Sequence, residues 1–272
     1  MLATLTLLVS VVPAPVQTSA NLKLKLREDE TVHYRSITDI VTYSPDGIEE
    51  RVANALYAFT FGETKDGKTP VAAKIESIEG MDEGTNNGSQ AISTLDLSFV
   101  LDKSGETTPT QFKAEYPALQ PVGKLITTVM DGQNSLGFLG FAFPEDAHVK
   151  VGDTWSKKVD AAKFLAPVYG VAGDMIKVDG VLDATFKLED IVNVNKKSHA
   201  RVSVTVTGKC NVDVNSPDLQ LSGVLDVKSD TGLVIDLSTG LITRSKTDTT
   251  GNLDVQVAQA QIEVMQLVYR KP

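Results

Sequence analysis

Three histidines, His33, His148 and His199, are where an imidazole-based site would have to start. No two of them stand four residues apart, and none belongs to an H-E-x-x-H pair. The local signature of a zinc site, two imidazoles on one helix face, is therefore missing. His33 falls in an alternating run and His199 beside a turn, positions that predict surface or hydrogen-bonded rings. The single cysteine, Cys210, comes shortly after the run Val202-Ser203-Val204-Thr205-Val206. Alone it forms no internal disulfide, and as a nucleophile it would need a neighbouring His and an electropositive setting. A thiol in a strand core or on a strand face is the expectation. No G-x-S-x-G elbow and no S-x-x-K set with its partners occur. Neither a P-loop nor a G-x-G-x-x-G leading into a helix is present to cradle a nucleotide. The sequence thus assigns no catalytic residue, no cofactor and no metal. One loop, Glu79-Gly80-Met81-Asp82-Glu83-Gly84-Thr85-Asn86-Asn87-Gly88, is rich in the oxygens that Ca²⁺ prefers. It fails the EF-hand spacing and reads as a solvated turn. Asn87-Gly88-Ser89 has the form of a glycosylation acceptor, which matters only in a eukaryotic secretory pathway.

The segment Phe143-Pro144-Glu145-Asp146-Ala147-His148-Val149-Lys150-Val151-Gly152-Asp153-Thr154-Trp155 holds the sole tryptophan. Gly-Asp favours a turn, and Trp155 then anchors the next stretch of chain by burying a large area. Gly152, Asp153 and Trp155 are accordingly read as a structural anchor. This P…V-x-V-G-D-x-W stretch resembles one found in a family of uncharacterised bacterial secreted β-rich proteins, a domain of unknown function, where it links an N-terminal sheet to a C-terminal one. Asp236-Leu237-Ser238-Thr239-Gly240 resembles that family's D-x-x-T-G strand turn. The resemblance implies export and a β fold; it brings no activity and no site residues.

The elements that would carry these residues are strands. Leu22, Leu24 and Leu26 alternate with Lys23, Lys25 and Arg27, which predicts one solvated strand face. Val202, Val204 and Val206 alternate with polar residues, as do Leu253, Val255 and Val257, with Ile262 and Val264 continuing toward Tyr269. Pro45-Asp46-Gly47 separates strands around Val32–Tyr43 and Glu49–Phe61. Lys65-Asp66-Gly67-Lys68 separates the latter from Val71–Ile78, and Asn195-Lys196-Lys197-Ser198 separates Thr185–Val194 from Ala200–Lys209. Asp-Gly at such a tip is a strong hairpin signal, because glycine accepts the positive φ of a tight turn. The two-strand units Tyr57–Ile78 and Thr185–Val206 echo one another. Thr239-Gly240 and Thr250-Gly251 predict turns in a three-strand terminal meander, within a total of about ten to twelve strands. Two stretches have helical spacing. Leu119, Val122, Leu125, Ile126, Val129 and Met130 form one stripe. Ala161, Phe164, Leu165, Val168 and Tyr169 form the other, with Asp160 as N-cap, Gly173 as stop and Pro167 predicting a kink or split. Each stripe is expected to cover a sheet face. Between them Leu136-Gly137-Phe138-Leu139-Gly140-Phe141-Ala142-Phe143 is apolar and interrupted by two glycines. It reads as a buried connector or as a lip over an apolar ligand formed by Phe138, Leu139, Phe141 and Phe143.

Leu2–Val12 is an uncharged apolar run too short to span a bilayer, followed by prolines and small residues. It reads as a secretory leader over residues 1–20, cut after Ala20, although no Lys or Arg precedes Leu22. The alternative is a buried first strand. No later stretch approaches the ~18 apolar residues of a spanning helix, and the address expected is secreted or periplasmic. With 272 residues, 42% of them hydrophobic, the chain can bury a sizeable core. A net charge of -9 without a Lys/Arg block argues against nucleic acid. The fold class expected is mainly β with some α: a curved antiparallel sheet or half-barrel under two short helices. Residues 21–145 and 146–272 form two β regions, each with a helix, joined as two domains or one. Three functions stay open: a non-enzymatic envelope protein binding an apolar or lipidic ligand, a surface module contacting another envelope protein, and a hydrolase whose site is dispersed in sequence.

Overall fold

The computed structural model of the protein describes residues 17–44, 47–79, 94–113, 120, 123–124, 126–128, 130–131, 143–169, 175–215, 220–255 and 259–270. Period-2 alternation dominates them, and antiparallel pairing of sequential runs turns it into one broad sheet. Its strands are β2 (Thr31–Ser44), β3 (Gly47–Phe61), β4 (Lys68–Glu79), β5 (Asp96–Asp102), β6 (Gln111–Lys113), β8 (Thr154–Asp160), β9 (Ile176–Asp179), β10 (Val181–Val194), β11 (Lys197–Asn215), β12 (Gln220–Asp236), β13 (Ile242–Val255) and β14 (Gln259–Arg270). The order is β6-β5-β4-β3-β2-β14-β13-β12-β11-β10-β8, with β9 paired to β11 beyond the start of β10. β1 (Ser19–Asn21) and β7 (His148–Lys150) form a separate two-stranded ribbon. The expected half-barrel is thus present: the sheet is antiparallel and, among the described residues, its ends do not pair. The described strands exceed ten to twelve because β1, β6 and β7 are only three residues long.

Nearest neighbours in sequence pair because short turns leave them no other partner within reach. Asp66 and Gly67 close β3–β4 with φ of 51° and 72°, and Asn195 and Lys196 close β10–β11 with 51° and 64°. Both are left-handed two-residue tips whose twist matches that of the flanking strands. The two halves of the chain meet where β14 pairs with β2, so the ladder runs unbroken from one half into the other.

Two positions depart from the sequence reading. Thr250-Gly251 is not a turn; both residues lie within β13, and Gly251, paired with Val227, is buried. Leu22–Leu26 forms no strand. Beyond β1 the chain runs extended without a ladder, yet the alternation persists, with Leu22 buried and Leu24 and Leu26 packed inward. The reason is that this segment crosses the end of the sheet instead of joining it. Leu22 N donates to Ala147 O at 2.7 Å, Lys25 N to Thr239 O at 2.8 Å and Asp29 N to Phe61 O at 2.8 Å. It is a strap over residues 20–30. β1 straddles the cut expected after Ala20: Ala20 is buried and pairs with Val149.

Two apolar clusters lie on the concave side. One gathers Phe186, Leu188, Val202, Val204, Leu182, Leu233 and Ile235 with Leu22 of the strap. The other gathers Tyr34, Tyr57, Phe59, Phe61, Val71, Phe99 and Leu101. The described residues between 120 and 131 are helical and form α1, whose Ile126 and Met130 belong to the second cluster. α2 (Ala161–Tyr169) places Ala161 and Leu165 in the first. Asp160 Oδ1 accepts Lys163 N at 3.1 Å, the expected N-cap, and α2 continues through Pro167 without splitting. Gly173 and the remaining apolar positions of the first stripe lie outside the described residues. Tyr169 Oη donates to Ala162 O; burial first, then Asp160 and Cys210, pushes its phenol up to about 12.

Candidate functional site

Each histidine keeps to its own neighbourhood. His33 Nδ1 is 3.1 Å from Glu76 Oε2 on the outer face, His148 lies in β7, and His199 Nδ1 lies 3.1 Å from Lys197 O. Cys210 is 3% exposed and burial pushes its thiol up, which makes it a core residue of the first cluster. Glu79 ends β4; the rest of the oxygen-rich loop, with Asn87, lies outside the described residues.

The V-x-V-G-D-x-W segment is a hinge of turns. Asp153 N donates to Lys150 O at 2.9 Å, closing a four-residue turn with Gly152 at φ 94°, a value that suits glycine. Asp153 Oδ2 returns to cap Lys150 N at 2.8 Å. Gly152 N donates to Leu188 O at 2.7 Å, and Leu188 N to Asp153 O at 3.0 Å, which fastens the turn to β10. Trp155 stacks on Phe186 with centroids 5.5 Å apart and planes 6° apart. Gly152, Asp153 and Trp155 therefore join the β1–β7 ribbon to the sheet.

The D-x-x-T-G turn holds the strap. Asp236 Oδ1 accepts Ser238 N at 2.8 Å and Ser238 Oγ at 2.5 Å, and Gly240 N donates to Asp236 O at 2.7 Å. Gly240 has φ 76°, and a Cβ there would lie 2.1 Å from Lys23 O, so only glycine lets the strap pass. Burial raises the Asp236 carboxyl, but the two Ser238 hydrogen bonds and the charges of Lys197 and His199 outweigh it and hold it below its usual range.

A feature the sequence did not disclose lies on the concave face between the clusters. Ser36 and Thr38 of β2, Ser229 and Thr231 of β12, and Ser245 and Thr249 of β13 are buried. Thr249 Oγ1 donates to Ser229 Oγ at 2.8 Å, and the Thr231 and Thr247 hydroxyls are 3.0 Å apart. Cross-strand hydroxyl pairs satisfy one another without charge. Alternating Ser/Thr positions were the available signal, but they read as the solvated face until register places them inward.

The ends of the sheet meet at a seam. Lys157 Nζ of β8 lies 2.8 Å from Glu106 Oε1, and Phe143 N donates to Ser104 O at 3.1 Å. Between them lies a cleft of about 220 Å³ lined by Gly105–Pro109, Asp131, Lys157–Asp160 and Lys163. Val159 lines the cleft and belongs to the first apolar cluster, so polar rim and apolar interior adjoin there. Phe143 packs against the same cluster. Of the expected lip, Phe138, Leu139 and Phe141 lie outside the described residues; Phe143 sits at the seam.

The outer face of β10 to β13 is laced with charge. Arg201 donates to both oxygens of Asp190, and Lys209–Asp226, Lys228–Asp230 and Lys246–Asp248 form pairs. A lipid-facing strand would present an apolar band there instead. No helix among the described residues is long and apolar enough to cross a membrane. The outer face of β2 and β3 is different: Tyr43, Ile48 and Val52 are exposed, Ile48 by 72%.

No family model matches the chain, and no curated protein matches it. The family suggested by Pro144 to Trp155 and by Asp236 to Gly240 rests on those two stretches alone. Among solved structures, the chain is similar to one described as lipid-protein interactions in lipovitellin, with a TM-score of 0.56 at 11% identity over 91% of this chain. The chain spans 26% of that chain's length, and the likeness is one of fold. OmpF of Salmonella typhi, in complex with daunomycin, has a TM-score of 0.29 at 8% identity over 92% of this chain and 100% of its own. A DUF1329 family protein from Desulfovibrio piger has 0.21 at 7% identity over 89% and 86%. Scores that low support no argument.

Proposed function

We propose that this chain is an exported, non-enzymatic protein of the cell envelope that holds an apolar or lipidic ligand against the concave face of its sheet. The observation that carries the reading is the seam. A junction between the ends of a curved sheet, unpaired among the described residues, adjoins an apolar cluster at Val159. The fold shared with lipovitellin, a protein described by its lipid interactions, supports the same ligand class by analogy. The non-enzymatic reading is supported by the dispersal of His33, His148 and His199 over three strands. Export rests on the leader-like first residues. The test is titration of delipidated protein with a fluorescent fatty acid. A saturable rise in emission, reversed by unlabelled fatty acid, is expected; a flat titration by folded protein sinks the reading.

A second reading is favoured by one specific observation. Among the described residues, Asp39 Oδ1 on β2 is buried without a hydrogen-bond partner. By strand alternation and register it shares the outer face with exposed Tyr43, Ile48 and Val52. A buried acceptor without a donor is costly, and a partner docking on the exposed side chains beside it could relieve it only by letting the carboxylate turn outward. A folded protein that ignores the probe would shift the function to this face, as a protein–protein contact.

A further inference from the structure

Ten ladders hold the sheet's strands in their main order, and one junction, between its ends, has none among the described residues. Each wall of that junction is rigid in itself. On one side Asp102 Oδ1 accepts Ser104 N, Ser104 Oγ and Glu106 N, and Asp102 N donates to Glu106 O at 2.9 Å. The tip bearing Glu106 therefore moves as a unit. On the other side β8 is paired with β10 along its length, from Thr154↔Lys187 to Asp160↔Val181, and Trp155 is stacked on Phe186. Among the described residues, the polar contacts across the gap include Lys157–Glu106, with side chains 33% and 57% exposed, and the hydrogen bond from Phe143 N to Ser104 O. An ion pair so open to water and salt contributes little, while the ladders on either side are cooperative. Local opening takes the least stabilised contacts first, and here those are the seam contacts.

We propose that the seam is the entrance of the apolar interior, resting on the ligand reading above: Glu106 parts from Lys157 and Ser104 from Phe143, and an acyl-chain ligand passes over Val159 into the first cluster. The geometry favours this place because polar rim and apolar floor adjoin within one cleft. Lys157, Lys158 and Lys163 stand beside Glu106, Asp131 and Asp160 at the rim, which keeps it hydrated while Val159 and its strand partner Leu182 lead inward.

The experiment uses the full chain carrying Glu106→Cys and Lys157→Cys. Buried Cys210, its thiol pushed up by burial, stays unreactive toward maleimide. One sample is tethered across the seam with a short bis-maleimide, and the other is capped with N-ethylmaleimide. Uptake of a fluorescent fatty acid is followed by stopped flow. The tethered sample is expected to take up probe at least about tenfold more slowly than the capped one, because entry then waits on rarer openings elsewhere. Equal rates in the two samples, with the unmodified protein binding normally, overturn the entrance and leave the ligand reading intact. No binding by the unmodified protein overturns both. Spin labels on the same two cysteines give a readout that needs no tether. A second, longer distance that gains population with probe supports the entrance; one distance unchanged by probe overturns it.

Discussion

Asp236 is 3% exposed, and the donors around it keep it ionised inside the turn that carries the strap. Its folded pKa lies below the unfolded value, so the stability it brings is present above about pH 4 and lost as pH falls through the folded value. Replacing it with alanine removes the charged acceptor of the Ser238 N–H and hydroxyl. Asp236→Ala is expected to lower stability by about 1–3 kcal/mol at neutral pH. Urea denaturation at neutral pH and again below pH 4 checks this: the gap between wild type and variant should narrow on acidification. A constant gap would mean that the carboxylate's charge contributes nothing. The turn at Gly152 and Asp153 was legible in the sequence because turn chemistry is local. The hydroxyl rows at Ser229 and Thr249 were not, since a serine looks the same on either face of a strand.

At the scale of elements, the strap is the most informative segment. Leu22, Leu24 and Leu26 carry the period of a strand, and their leucines do point inward, but no ladder receives them. Alternation fixes which side chains are buried, and it is blind to whether a neighbouring strand is available. Leu22 is fully buried in the first cluster, while Leu24 and Leu26 reach the second, so the strap ties the two together at the sheet's end. Leu22→Ala should cost about 2–5 kcal/mol, read as a lower urea midpoint at unchanged slope. An effect within the noise would show that the strap rides on the surface. The helices conform more simply. Asp160 caps α2 as its type and position predict, and each helix covers a different cluster.

For the whole molecule, the decisive contact is between β2, near the start of the chain, and β14, near its end. It makes the sheet continuous, so the two clusters should melt together. Trp155, the sole tryptophan, reports the first cluster, whereas Leu101 is buried in the second. Leu101→Ala is expected to shift the unfolding midpoint of Trp155 fluorescence as far as that of far-UV circular dichroism. If the fluorescence midpoint stays put while the dichroism moves, the halves unfold separately.

Strand periodicity, the hairpin turns at Asp66-Gly67 and Asn195-Lys196, the helix over Ala161–Tyr169 and the Gly152–Asp153 turn were legible in the chain itself, because each arises from interactions within a few residues. It took the folded sheet to keep Thr250-Gly251 within a strand, to turn the Ser and Thr rows inward and to bring Glu106 to Lys157. Those outcomes depend on register and curvature summed over many strands, quantities to which no short stretch of chain has access.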